Sequence, residues 1–129
     1  MKLAIAGARH FHLHHLLDYI RQTNAAELVG VFERDQSIRN SLEKQYGMPG
    51  FASLEEMIAV AEPDVIACFD IHSQRVAICT HALRAGISVL CDKPPALSLQ
   101  ELEELQKAVE ESPEAKFTAL FSERYNPPV

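Results

Sequence analysis

A chain of 129 residues can bury about two thirds of its unfolded surface, enough for one domain whose core needs neither disulfides nor metal. Hydrophobic residues at 47% and charged residues at 23% exclude a disordered, collagen-like or coiled-coil chain. A net charge of −6 speaks against a nucleic-acid partner, which needs a basic face to displace counterions.

Lys2–Ala6 is a short, almost wholly apolar run ending at Gly7, the pattern of a strand buried on both faces. Leu13, Leu16, Leu17 and Ile20 recur at helical spacing and predict an amphipathic helix. Glu27–Glu33 reads as a second strand. Ser37–Tyr46 reads as a second helix, opened by Asp35 or Ser37 and closed by Gly47 and Pro49. Ser53 and Glu56 have capping-box spacing over a short helix that ends before Pro63.

Asp64–Asp70 is another buried strand; Val76, Cys79, Thr80 and Leu83 then line a helix face, with Gly86 as its stop. Ser88–Cys91 is a strand that runs into Asp92-Lys93-Pro94-Pro95. Ser98 and Glu101 make a second capping box, with Leu99, Leu102, Leu105 and Val109 as the expected buried stripe. Lys116–Phe121 is the last strand. Strands alternating with helices through short loops predict an α/β fold, a doubly wound parallel sheet covered on both faces.

Residues 1–50 carry six Lys/Arg against five Asp/Glu, and residues 51–129 carry six against thirteen. Glu101, Glu103, Glu104, Glu110, Glu111 and Glu114 place much of the acidic excess on one helix, a solvated face. Cys68, Cys79 and Cys91 show no CxxC spacing and read as reduced, buried thiols of a cytoplasmic protein. Burial of Cys68 and Cys91 in apolar strands should keep them inert. No stretch nears the ~18 apolar residues of a membrane span, so no membrane partner is expected. The Leu3–Ala6 run, followed at once by Arg9, is too short for a signal peptide.

In such a sheet, ligands bind beyond the carboxyl ends of the strands, where the strand order reverses. Four segments follow directly from predicted strands: Gly7–His12, Glu33–Arg34, Asp70–Arg75 and Asp92–Pro95. The first, Gly7-Ala8-Arg9-His10-Phe11-His12, keeps only the first of the three glycines of a dinucleotide fingerprint; Arg9 and His12 hold the other two places. Gly7 can still make the tight turn, and amides at the helix start can face an anion. Glu33 can accept hydrogen bonds from both ribose hydroxyls of an adenosine, and its charge repels a 2′-phosphate. NAD is therefore favoured, with NADP as the alternative through Arg34. Lys93, at the end of a strand, can donate to substrate or cofactor oxygens, and Pro94 invites a cis peptide that turns it into the crevice.

His10 and His14 are four apart, a spacing that can share a metal, yet no Cys or acid nearby in the sequence completes a set. No metal is expected. Loop contacts around a ligand, or pairing of His14 with Asp18, account for these histidines more simply.

Gly7, Glu33, Ser53-Leu54-Glu55-Glu56, Asp64-Val65, Ala82-Leu83-Arg84-Ala85-Gly86, Val89-Leu90-Cys91-Asp92-Lys93-Pro94 and Arg124 to Pro127 together carry a resemblance. From Lys2 to about Pro127 the chain resembles the Rossmann-like N-terminal domain of the Gfo/Idh/MocA oxidoreductases, the group of glucose–fructose oxidoreductase and inositol dehydrogenases. The resemblance implies that NAD or NADP binds here. It implies hydride transfer to or from a carbon bearing a hydroxyl or carbonyl on a sugar-like small molecule.

It further implies that Lys93 is the catalytic contact to substrate and cofactor, with Asp92, in place of the family's Glu, beside the nicotinamide ribose. Gly7, Ala8, Arg9, His10, Phe11 and His12 would hold pyrophosphate, and Glu33 and Arg34 the adenosine. Asp70, Ile71, His72, Arg75 and Pro94 would line the nicotinamide half. Asp70-Ile71 stands where the family has Thr-Pro, and Arg75 where it has a histidine.

The resemblance places a nucleotide-binding domain over residues 1–122 and the start of a connection over 123–129. A second domain, with the substrate sheet and a catalytic histidine, is expected to lie outside this chain. Members usually form homo-oligomers through that domain, and the 129 residues alone are expected to be inactive. The rival expectation is a non-enzymatic module, regulatory or structural, with weakened nucleotide binding, which the missing glycines favour.

Overall fold

The computed structural model of the chain describes residues 1–121, 124 and 126–128. Its first strand, β1 (Lys2–Ala8), is buried from Leu3 to Gly7, as an apolar run without alternation requires. The helix α1 (His12–Thr23) follows and buries Leu13, Leu17 and Ile20 at the predicted spacing. Next come β2 (Glu27–Phe32), α2 (Gln36–Tyr46), β3 (Gly50–Phe51), α3 (Leu54–Ala61) and β4 (Val65–Phe69). The chain closes with α4 (His72–Arg84), β5 (Ser88–Asp92), α5 (Leu99–Glu111) and β6 (Phe117–Leu120).

The six strands form one sheet in the order β3-β2-β1-β4-β5-β6, and all five pairings are parallel. The order reverses between β1 and β4. Right-handed crossovers then place helices on opposite faces for the two halves. On one face α1 and α2 bury Leu13, Leu17, Ile20 and Leu42 against Leu3, Ile5, Ala67 and Phe69. On the other, α3, α4 and α5 bury Met57, Ile78, Leu83 and Leu105 against Ala4, Ala6, Ile66 and Val89.

Every predicted strand and helix is present, with four refinements. The short β3 was not expected, because two residues carry no periodicity; it pairs Gly50 and Phe51 with Val31 and Phe32. The helix α4 begins at His72, so His72 and Arg75 lie in its first turn. Asp35, rather than Ser37, caps α2 by accepting from the amides of Ser37 and Ile38.

The buried stripe of α5 differs most. Leu99 is 79% exposed and Leu102 48%, whereas Leu105 is 3% exposed and Ala108 is fully buried. Only the later turns of α5 reach the core, through Leu105 and Ala108. The domain boundary expected at 122–123 falls on residues outside those described, as does part of the segment from Arg124 to Pro127.

Candidate functional site

The segments that follow β1, β2, β4 and β5 meet at the carboxyl end of the sheet. Gly7 has a φ of 74°, and a Cβ there would collide with the Cα and Cβ of Asp70, so only glycine lets the ends of β1 and β4 close together. The turn is fixed further by the Arg9 amide, which donates to the Phe69 carbonyl at 3.0 Å.

Glu33 lies one residue past β2 and is 2% exposed. Its Oε2 accepts from the Ala8 amide at 2.9 Å, and its Oε1 accepts from the Asp35 amide at 2.9 Å. The Arg9 guanidinium lies 3.2 Å from Oε1, so the side chain that replaces the second fingerprint glycine turns toward Glu33. Arg34 crosses the end of β1 to donate to Asp70 Oδ2 at 2.7 Å and to Gln74 at 3.2 Å, with its guanidinium over the Phe32 ring. Two partly exposed ion pairs, Arg9–Glu33 and Arg34–Asp70, therefore span the mouth of the crevice.

Behind them, Arg75 is 1% exposed and acts as a buried tie. Its Nε donates to the Asp70 carbonyl at 2.8 Å, and its Nη1 donates to the carbonyls of Asp92 and Pro94, both at 3.0 Å. It thereby joins the ends of β4 and β5. A cavity of about 160 Å³ lies beside it, lined by Arg9, His10, Asp70, Ile71, His72 and Arg75. The Lys93–Pro94 peptide is cis, and the Lys93 amide donates to Asp92 Oδ1 at 2.9 Å.

Two histidines converge on the fully buried Asp92. His10 Nδ1 lies 2.8 Å from Oδ2, and His12 Nδ1 lies 3.1 Å from Oδ1. Desolvation holds His10 below the usual histidine range, against the pull of Asp92 and aided by His12, Arg75 and His72. Sequence spacing pointed to His10 with His14; instead His10 meets His12 and the distant Asp92. His14 reaches Asp18 only through Tyr46: its Nδ1 is 3.2 Å from the Tyr46 hydroxyl, which donates to Asp18 at 3.3 Å.

The three thiols also cluster, on the sheet face opposite α1. Strand register sets Cys68 beside Cys91, and Cys79 of α4 packs onto both. Hydrogen bonds from Cys68 and Cys91, with burial, push the Cys79 thiol far up, while bonds from Cys68 and Cys79 draw Cys91 down to about 4. Burial alone does not set the Cys91 thiol, contrary to the sequence expectation; all three are nonetheless buried out of reach of reagents.

The crevice thus gathers Gly7–His12, Glu33–Arg34, Asp70–Arg75 and Asp92–Pro94 at the strand-order reversal. The sequence did not reveal the Asp35 amide on Glu33 or the second histidine on Asp92, since both depend on how loops turn. No helix among the described residues is long and apolar enough to cross a membrane.

Residues 1–119 match the family described as the oxidoreductase family, NAD-binding Rossmann fold, Gfo/Idh/MocA. Over 76 residues the chain is 36% identical to glucose-6-phosphate 3-dehydrogenase of Bacillus subtilis (strain 168), covering 59% of this chain and 21% of that one. A candidate oxidoreductase of Erwinia carotovora atroseptica SCRI1043 superposes with a TM-score of 0.84 at 31% identity, over 95% of this chain and 37% of that one. The WlbA dehydrogenase of Bordetella pertussis, solved with NADH and UDP-GlcNAcA, shares the fold at a TM-score of 0.88 and 20% identity, over 97% of this chain and 38% of that one. The chain therefore spans well under half the length of these relatives, and it belongs to the Gfo/Idh/MocA oxidoreductase family as its NAD-binding Rossmann domain.

Proposed function

We propose that this domain binds NAD in preference to NADP and presents it to a sugar-like hydroxy or carbonyl compound. The observation that carries this reading is Glu33, a buried carboxylate at the end of β2, bonded to the β1–α1 turn and facing the crevice mouth. Each carboxylate oxygen has two lone pairs, so Oε2 keeps one acceptor direction for a ribose hydroxyl, and Oε1 gains one when Arg9 swings away. A 2′-phosphate would meet the same carboxylate charge to charge.

The remaining fit is consistent. Among the described residues the amides of Ala8 and Arg9 are spent on Glu33 and Phe69, which leaves those of His10 and Phe11 as open donors. The amino end of α1, which has no side-chain cap, lies beside them and favours a pyrophosphate. A cavity of about 390 Å³ bounded in part by Phe32, Arg34, Ala77 and Ile78 lies past the end of β2 and would take the adenine ring, with Arg34 over its face. Arg9, released from Glu33, would pair with the phosphates. Lys93, placed by Asp92 and the β5 end, would donate to the substrate oxygen.

When bound, the nicotinamide supplies the hydride donor or acceptor; the protein groups hold and orient both partners. Opening the Arg9–Glu33 and Arg34–Asp70 pairs strips the buried Glu33 and Asp70 carboxylates of their counter-charges, a cost that contacts to the bound cofactor must offset. Those pairs also favour the second reading, a module with weakened nucleotide affinity.

Fluorescence titration with NADH and NADPH separates the two. The oxidoreductase reading expects saturable NADH binding tighter than NADPH, with Glu33→Gln narrowing the preference by about tenfold or more. No saturation by either nucleotide at millimolar concentration would sink it and leave the second reading standing.

A further inference from the structure

His10, His12 and Asp92 present one donor atom each within 4.8 Å of one another, at the carboxyl ends of β1 and β5 beside Lys93. We infer that these three residues form a binding site for a divalent transition metal of the zinc type. Its remaining coordination is open to an oxygen atom of a small molecule in the crevice.

The hydrogen bonding supports a cation there. His10 Nδ1 lies 2.8 Å from Asp92 Oδ2, yet Oδ2, fully buried, receives no well-aligned hydrogen bond. Buried oxygens left this way carry a desolvation cost and need an explanation.

The donor set suits the chemistry. Two imidazoles and one carboxylate, with an open fourth position, are ligands that zinc accepts at about 2.0–2.2 Å. Bonds of that length in a tetrahedron put donors about 3.3 Å apart; one donor atom of each residue lies within 4.8 Å of the others, so small side-chain rotations bring the set to that spacing. The ligand environment is also held in place. The Lys93 amide donates to Asp92 Oδ1, and Arg75 fixes the Asp92 and Pro94 carbonyls. Such supporting contacts orient ligands and raise affinity.

Arg75 opposes the cation as well, since its Nη2 lies 3.6 Å from Asp92 Oδ2 and already balances that charge. The site should therefore release its ion to a chelator. Both histidine side chains are partly exposed, which gives the ion a route in from the crevice. What fills the open position rests on the oxidoreductase reading above; the metal itself does not.

The test uses the whole chain, made without an affinity tag, stripped with a chelator and titrated with cobalt(II) under visible absorption. Expected are one cobalt per chain, the intense visible bands of a tetrahedral ion, and displacement by zinc. His10→Gln and His12→Gln, each checked for fold by circular dichroism, should weaken binding by at least about tenfold. His14→Gln, outside the cluster, should leave it unchanged.

Absence of saturable cobalt binding overturns the inference, as does binding that survives both histidine variants. Thiolate-to-cobalt charge transfer in the near ultraviolet overturns it too, because it places the ion on Cys68, Cys79 and Cys91. NADH titrated into the same samples separates the two claims. Cobalt bound without NADH supports the metal site while the cofactor reading fails; NADH bound without cobalt overturns the metal site alone.

Discussion

At the scale of single residues, the site depends on polar groups that a sequence shows but cannot pair. Arg75 stands in the sequence as one more cation of the crevice, yet the fold buries it against three backbone carbonyls and Asp92. Replacing it with methionine keeps the volume and leaves Asp92 buried without its counter-charge. Arg75→Met is therefore expected to lose about 3–5 kcal/mol in urea denaturation, a loss typical of breaking a buried pair. Gly7 was legible, because a turn after a buried strand needs positive φ, and its closeness to Asp70 adds a steric reason. Arg9 was legible only as an anomaly. Its direction toward Glu33 follows from the neighbouring turn, which spacing does not encode.

At the scale of elements, periodicity together with cap and stop residues located every helix, and errors fell where local pattern and tertiary cover disagree. The α5 stripe reads as one continuous apolar face, but the core reaches it only from Leu105 onward. Leu105→Ala should cost about 2–5 kcal/mol, and Leu102→Ala should stay within about 0.5 kcal/mol, both by denaturant midpoint. Equal effects would restore the continuous stripe.

The α1–α2 contact carries a second expectation. Burial, then the Asp18 charge and its hydrogen bond, raise the Tyr46 phenol above its ordinary 10.0. The unfolded chain loses that proton first as pH rises. The Tyr46 contribution to stability is thus complete below pH 10.0 and lost as pH climbs through the folded value. Stability measured against alkaline pH should fall less steeply for Tyr46→Phe than for the parent chain.

At the scale of the whole molecule, the doubly wound order was readable because buried strands alternate with helices at short intervals, and handedness leaves few topologies. Convergence of the four loop segments follows from that order alone. What the order does not give is the state of the mouth, which the Arg9–Glu33 and Arg34–Asp70 pairs span. Those pairs, together with the absent glycines, make nucleotide binding the point to test. Mapping amide chemical shifts by NMR as NADH is added does so most directly. The account predicts perturbations at Gly7–His12, Glu33–Arg34, Asp70–Arg75 and Asp92–Lys93, with α5 silent. Perturbations centred elsewhere, or none at saturating NADH, would contradict it.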